Sequence, residues 1–275
     1  MHDYSIIRGL ESWAVSKLEQ APLLSFYGRT RGWPFLLTWS HRIAGILLSV
    51  FVLFHIYTLT ALYTPGAYDA KMKIYAWFAF AFLEWVLAIP VIFHALNGAR
   101  LILFEHYGIR NDRGMTRWTF GLSALYLAFL GFFMSLGNQS VSALFFWAIM
   151  LGTGAVAGYA VTTRIWNTAH SVFWKLQRVG GAFLLVMIPA HVLFMHLNPD
   201  MSKQSSVVIT RMQSHFIKAV DLSLLFTILF HAGYGIYSIA RDYLSLRAFR
   251  IAAAVLTSLL MLLFALAGAK LTLAI

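Results

Sequence analysis

Four of the ten histidines in this 275-residue chain recur in a fixed pattern. The segment His41-Arg42-Ile43-Ala44-Gly45 is echoed 136 residues later by Gln177-Arg178-Val179-Gly180-Gly181, and in each copy a histidine follows the arginine by 13 residues, giving His55 and His191. Phe93-His94-Ala95-Leu96-Asn97-Gly98 is echoed by Phe230-His231-Ala232-Gly233-Tyr234-Gly235 at a displacement of 137, and an acid stands ten residues before each histidine, Glu84 and Asp221. Cysteine is absent. That removes disulfides, thiolate nucleophiles, cysteine-held iron–sulfur clusters and covalently attached c-type haem, so any redox centre must hang on imidazole.

Ionisable side chains in apolar helices are costly unless buried and bonded, which makes them functional candidates. A single such histidine can equally hydrogen-bond a neighbouring helix; four at matched positions point to metal ligation. The helical rise puts His55 roughly 20 Å beyond Arg42 and His94 roughly 9 Å before Arg100 on a returning helix, so the two sit at different depths. The repeat sets His191 level with His55 and His231 level with His94. Two bis-histidine haem b groups are therefore expected, one at minimum, offset by about 10 Å. With both axial positions filled, neither iron could bind oxygen or substrate, and the chemistry would be electron transfer. Gly98 and Gly235, four residues after the inner histidines, would clear helix surface for a porphyrin or for close helix packing. His2, His41, His106, His170, His196 and His215 fall at interfacial or loop positions, with His196 the nearest competitor to His191. For Glu84 and Asp221, a proton relay and a hydrated helix end both remain open.

The elements that must position these residues are membrane helices. Sixty per cent of the chain is hydrophobic and 11% charged, against about 45–50% and about 25% in soluble domains. Apolar windows run near 43–63, 74–99, 118–137, 141–163, 179–199, 219–240 and 251–273, each close to the roughly 20 residues a bilayer requires. The reading is an all-α membrane protein of about seven transmembrane helices: an N-terminal cytoplasmic or interfacial segment (1–38), a first three-helix repeat (39–137), a connector helix (138–170) and a second three-helix repeat (171–275). An odd number of spans inverts a unit, so the connector lets both repeats run in the same direction. Residues 1–38 carry Asp3, Arg8, Glu11, Lys17 and Glu19 with no unbroken apolar core, so no cleavable signal peptide is expected.

The net charge of +11 follows topology. With the N-terminus cytoplasmic, 15 of the 21 Lys and Arg residues fall on the inner side, as the positive-inside rule requires. No basic run with interleaved aromatics lies outside the spans, so nucleic acid is not an expected partner. The orientation fits a multi-pass protein of a bacterial inner membrane, surrounded by lipid.

Ser40-His41-Arg42-Ile43-Ala44-Gly45 and Phe93-His94-Ala95-Leu96-Asn97-Gly98-Ala99-Arg100 resemble signatures of the larger cytochrome b anchor subunit of succinate:quinone oxidoreductases. Gln177-Arg178, His231-Ala232-Gly233-Tyr234-Gly235 and Arg241-Asp242-Tyr243 resemble the smaller anchor, so the chain looks like both anchors fused. The resemblance covers most of 35–110 and 174–245. It implies a haem-binding bundle in a succinate dehydrogenase or fumarate reductase complex, with His94 and His231 on the haem nearer an iron–sulfur subunit and His55 and His191 on a second, outer haem. A flavoprotein subunit and an iron–sulfur subunit would dock on the cytoplasmic face, and membrane quinone would be the substrate. The dicarboxylate reaction needs a flavin, and nothing here resembles a dinucleotide fold or a phosphate loop.

For the quinone the resemblance implies two alternatives: an inner site of Thr38 (where the family usually has Ser), Arg42, Asp242 and Tyr243, or an outer site with Glu84 and Asp221. Asp242-Tyr243 could equally be an interfacial helix end with an aromatic anchor. Arg42 and Arg178 could hold haem propionates, since guanidinium pairs with carboxylate in bidentate fashion, or act as positive-inside flanks. The rival readings are the cytochrome b subunit of another quinone-linked complex, such as a hydrogenase or nitrate reductase, and a seven-helix proton-coupled transporter.

Overall fold

The computed structural model describes Trp13, Ser16, Gln20 and residues 32–137, 139–197 and 200–275, with the side chains of 200 and 201 left aside. The expectations for residues 1–31, a surface-lying segment without a leader, lie outside the described residues apart from those three positions. Every regular element among the described residues is helical: α1 (Trp33–Leu59), continued by a 3-10 turn (Thr60–Tyr63); α2 (Pro65–Tyr75); α3 (Phe78–His106); α4 (Asp112–Leu136); α5 (Ala143–Ile165); α6 (Val172–Leu197); α7 (Asp200–Lys203); α8 (Ser205–Met212); α9 (His215–Tyr243); and α10 (Arg247–Ala274).

Seven of these, α1, α3, α4, α5, α6, α9 and α10, are long and apolar enough to cross a membrane. The chain is an all-α, multi-pass membrane protein. Hydropathy windows understate its helices because they stop at the first charge, whereas the backbone continues helical through the polar flank. α1 thus begins at Trp33, inside the stretch assigned to an N-terminal segment, and α6 begins at Val172, ahead of Lys175 and Arg178. The short helices α2 and α8 carry too little apolar length for such a window. Pro65 at the first position of α2 is their one local signal.

Helix starts follow capping chemistry. The Asn111 side chain accepts from Gly114 N at 3.0 Å ahead of α4, and Ser142 Oγ accepts from Phe145 N at 3.4 Å ahead of α5. Two spans contain proline, Pro90 in α3 and Pro189 in α6. Tyr126 of α4 donates to the Pro189 carbonyl at 2.8 Å, which ties α4 to α6 at the interruption.

Contacts divide the chain into two units, 1–43 and 44–275. In the first, Thr38 Oγ1 donates to the Pro34 carbonyl at 2.8 Å, and the rings of Phe35 and Trp39 stand 6.2 Å apart.

In the second unit α6 is the hub, packing on α3, α4, α5 and α9. Its Leu184, Met187, Ala190 and Phe194 form the main core with Trp147 of α5 and Ile217, Val220 and Leu224 of α9. Large apolar side chains on α10, such as Leu256 and Leu266, point outward, as a lipid-facing surface requires. α5 approaches α6 through small residues: a Cβ on Gly154 would stand 3.0 Å from Phe183 and 3.2 Å from Met187, and one on Gly158 would stand 3.6 Å from Val179. The spacing Gly154-x-x-x-Gly158 is the small-residue seam by which membrane helices approach closely. Gly152, one turn from neither partner, faces open space. Gly154→Val is accordingly expected to cost about 1–3 kcal/mol by overpacking, seen as a lower thermal midpoint in detergent, while Gly152→Ala leaves that midpoint unchanged.

Candidate functional site

The four repeated histidines meet in the pairs that the repeat implies. The rings of His55 (α1) and His191 (α6) stand 6.2 Å apart at an interplanar angle of 82°, and those of His94 (α3) and His231 (α9) stand 6.2 Å apart at 89°. Two pairs in different surroundings share one geometry. Members of a pair are separated by 136 and 137 residues, the displacement of the repeat itself, so each histidine faces its own counterpart across a pseudo-two-fold axis. Asp69 and Ser205, also 136 apart, meet on the same axis: Ser205 N and Oγ donate to the Asp69 carboxylate at 2.8 and 2.9 Å.

Backbone approach is repeated as well. A Cβ on Gly45 would meet His94 Cε1 at 3.0 Å and Nδ1 at 3.4 Å, and one on Gly181 would meet the same atoms of His231 at 3.1 and 3.4 Å. Gly45 and Gly181 are equivalent positions of the two copies, so the missing side chains are what allow the rings to lie on the facing helix. The sequence reading looked for this clearance at Gly98 and Gly235. Of these, a Cβ on Gly235 would stand 3.9 Å from Gln177 Nε2, an ordinary contact. His231 Nδ1 is 3.2 Å from the Gln177 carbonyl. A carbonyl can only accept, so Nδ1 carries the hydrogen and Nε2 keeps its lone pair. His191 Nδ1 is buried without a hydrogen-bond partner.

Glu84 lies on α3 with its carboxylate 3.6 Å from His196 Nε2, and His196 Nδ1 is bonded to the Val192 carbonyl at 2.6 Å. His196 is thus tied to its own helix and to Glu84, and His191 is the one that faces His55. Asp221 lies on α9 near α8. Thr38 and Arg42 belong to α1 in the first unit, and Asp242 and Tyr243 form the exposed last turn of α9.

Arg178 is engaged by groups the sequence reading did not single out. Its Nη2 donates to Glu105 at 3.3 Å, its guanidinium lies 5.0 Å over the Trp174 ring, and Trp174 stacks on His170 at 3.9 Å. The repeat displacement carries Asp242-Tyr243 back onto Glu105-His106 and Thr38 onto Trp174, so that signal could have found them. Arg100, counted from sequence only as a basic flank, is buried: its Nε donates to Asn97 at 2.9 Å and its Nη1 pairs with Asp112.

Comparison with known proteins matches residues 20–135 and 160–269 to the family described as the succinate dehydrogenase/fumarate reductase transmembrane subunit. The chain belongs to that family. It is also 35% identical, over 101 residues, to the succinate dehydrogenase 2 membrane subunit SdhC of Mycobacterium tuberculosis, an alignment covering 35% of this chain and 74% of that protein. No solved structure matches. The first family stretch holds His55 and His94, the second holds His191 and His231, and most of α5 falls in the gap between them. The protein is therefore a membrane subunit of an oxidoreductase complex.

At the end of the bundle away from Arg100 and Arg178, α2 and α8 clasp one another. The Tyr68 hydroxyl donates to the Ser202 carbonyl, and burial pushes its phenol up to about 12. Asp69 anchors the first residue of α8. Six residues on, the same short helix presents Arg211, whose pKa burial lowers. Replacing Asp69 by Ala removes both acceptors from the start of α8. The expected cost is roughly 1–2 kcal/mol, the usual cost of losing a helix cap, with faster amide hydrogen exchange confined to α8 and α2.

Proposed function

We propose that this family member is a dihaem cytochrome b anchor, with His55 and His191 holding one haem b and His94 and His231 the other. The observation that carries this reading is the shared geometry of the two pairs. Two imidazoles on opposite sides of one transition metal, with metal–nitrogen bonds of about 2 Å and ring centres roughly 1 Å behind each nitrogen, stand about 6 Å apart, which matches both pairs. The donor set fits too, since His231 directs its protonated nitrogen to a backbone carbonyl, the usual means of fixing a ligand's tautomer. Gly45 and Gly181 bring helix backbone against the inner ligands.

When bound, the haems would carry single electrons between membrane quinone and an iron–sulfur subunit. The rest of the work falls to the chain: apolar α5, α6 and α9 side chains exclude water around His191, and His55, His191, His94 and His231 would hold the haem irons. Arg178 and Arg42 are candidates for propionate pairing, Arg178 sharing its charge with Glu105. For quinone, Thr38 and Arg42 on one helix and Asp242 and Tyr243 on another supply hydroxyl and charged groups of the kind that polarise carbonyls. Glu84 and Asp221 are the outer alternative.

The concentration of Arg and Lys at one end supports a cytoplasmic N-terminus in a bacterial inner membrane, with the flavoprotein and iron–sulfur subunits docked on that basic face. Haem per chain, measured by pyridine haemochrome on the complex purified with its partner subunits, tests the reading. The native chain is expected to carry two, with His55→Ala and His94→Ala each losing a different one. A single haem insensitive to His55→Ala would remove the outer site, and haem-free, correctly folded protein would remove both.

A further inference from the structure

Among the described residues, Arg211 is a half-buried cation with one weak hydrogen bond. Its Nη1 reaches the thioether of Met195 at 3.6 Å, a weak acceptor. Its Nε is screened from solvent with no hydrogen-bond partner. Asp221 and Tyr68 act on it electrostatically, yet it forms an ion pair with none of the described carboxylates. Guanidinium stays charged and offers five donors in a rigid fork. A guanidinium nitrogen kept from water favours an anionic partner, as buried charges are generally paired.

The position of the fork indicates what pairs with it. Met195 lies four residues beyond His191 on α6, so the two share a helix face and stand about 6 Å apart along the axis. The Asp69–Ser205 contact of α2 with α8, beside the Tyr68–Ser202 contact of α2 with α7, fixes the short helix that carries it. The first repeat has Tyr75 at the position equivalent to Arg211.

We infer that Arg211 is the anion-binding residue of the outer cofactor level, pairing with a carboxylate side chain of the tetrapyrrole held by His55 and His191. This rests on the dihaem reading and deepens it. Arg211 acts on the cofactor's periphery and its reduction potential without ligating the iron. The same fork could take a lipid phosphate, and the test separates the two.

The complex with its partner subunits is purified carrying native chain, Arg211→Gln or Arg211→Lys, and haem content and redox-titrated absorbance are measured. Arg211→Gln is expected either to lose one of two haems or to lower the midpoint of one step, because an uncompensated carboxylate favours the oxidised form. The other step should stay in place, which reports that the bundle is intact. Arg211→Lys keeps the charge without the fork and is expected to retain both haems with a smaller downward shift of the same step. Two haems with both midpoints unchanged in Arg211→Gln would overturn the proposal, and so would a change in bound phospholipid alone. If Arg211→Gln fails to accumulate, an unshifted Arg211→Lys overturns it. A native chain with one haem that survives His55→Ala would instead sink the dihaem reading on which this rests.

Discussion

An imidazole inside an apolar helical bundle has no water to bond, and this structure is arranged around four of them. Each must be close to a partner and held in one orientation, because the alternative is a polar ring stranded in hydrocarbon. Pairing edge against face at 6.2 Å meets these conditions twice. The helices that carry the rings are thereby fixed in azimuth: α1 must turn His55 toward α6, and α3 must turn His94 toward α9. A shift by one residue would carry the imidazole roughly 100° around its helix, as 3.6 residues per turn require.

Bringing rings that close takes backbone without side chains. Gly45 and Gly181 do this at the His94–His231 level, and Gly154 and Gly158 do it where α5 lies on α6. In a membrane there is little hydrophobic gain from pressing one apolar helix on another, so close backbone approach and buried polar links carry more of the cohesion. Tyr126 to the Pro189 carbonyl and the Asn97–Arg100–Asp112 chain are such links. Each sits where a span is interrupted or ends.

The spans, the repeat and the four histidines were legible because they depend on local pattern: apolar length, a fixed displacement, and residue types that apolar helices otherwise avoid. Helix ends were less legible. Trp33 and Val172 start helices ahead of the charges at which an apolar window stops. The partners of the charged residues were least legible. Nothing local in Arg100 announces Asp112, and Arg178 reads as a topological flank until Glu105 and Trp174 are seen against it. Glu105 could have been reached by moving Asp242 back through the repeat, which shows that the displacement carries more information than the motifs it first linked. Gly45 and Gly181, which lie against the rings of His94 and His231, were not singled out from sequence, because rings approach across helices and the glycine that clears each one lies on the facing helix.

Asp69 meeting Ser205 has a consequence for how such a bundle can arise. Positions on a two-fold axis face themselves, so in a symmetric pair of identical chains an aspartate there would confront a second aspartate, and a serine a second serine. Joining the halves in one polypeptide lifts that restriction. One copy becomes the acceptor and the other the donor, and the self-facing contact turns complementary. The histidines need no such freedom, since an imidazole can face its own like across the axis, and both pairs are identical. Axial positions thus divide into those where sameness serves and those where only a broken symmetry can, and two halves of different sequence allow both kinds to coexist.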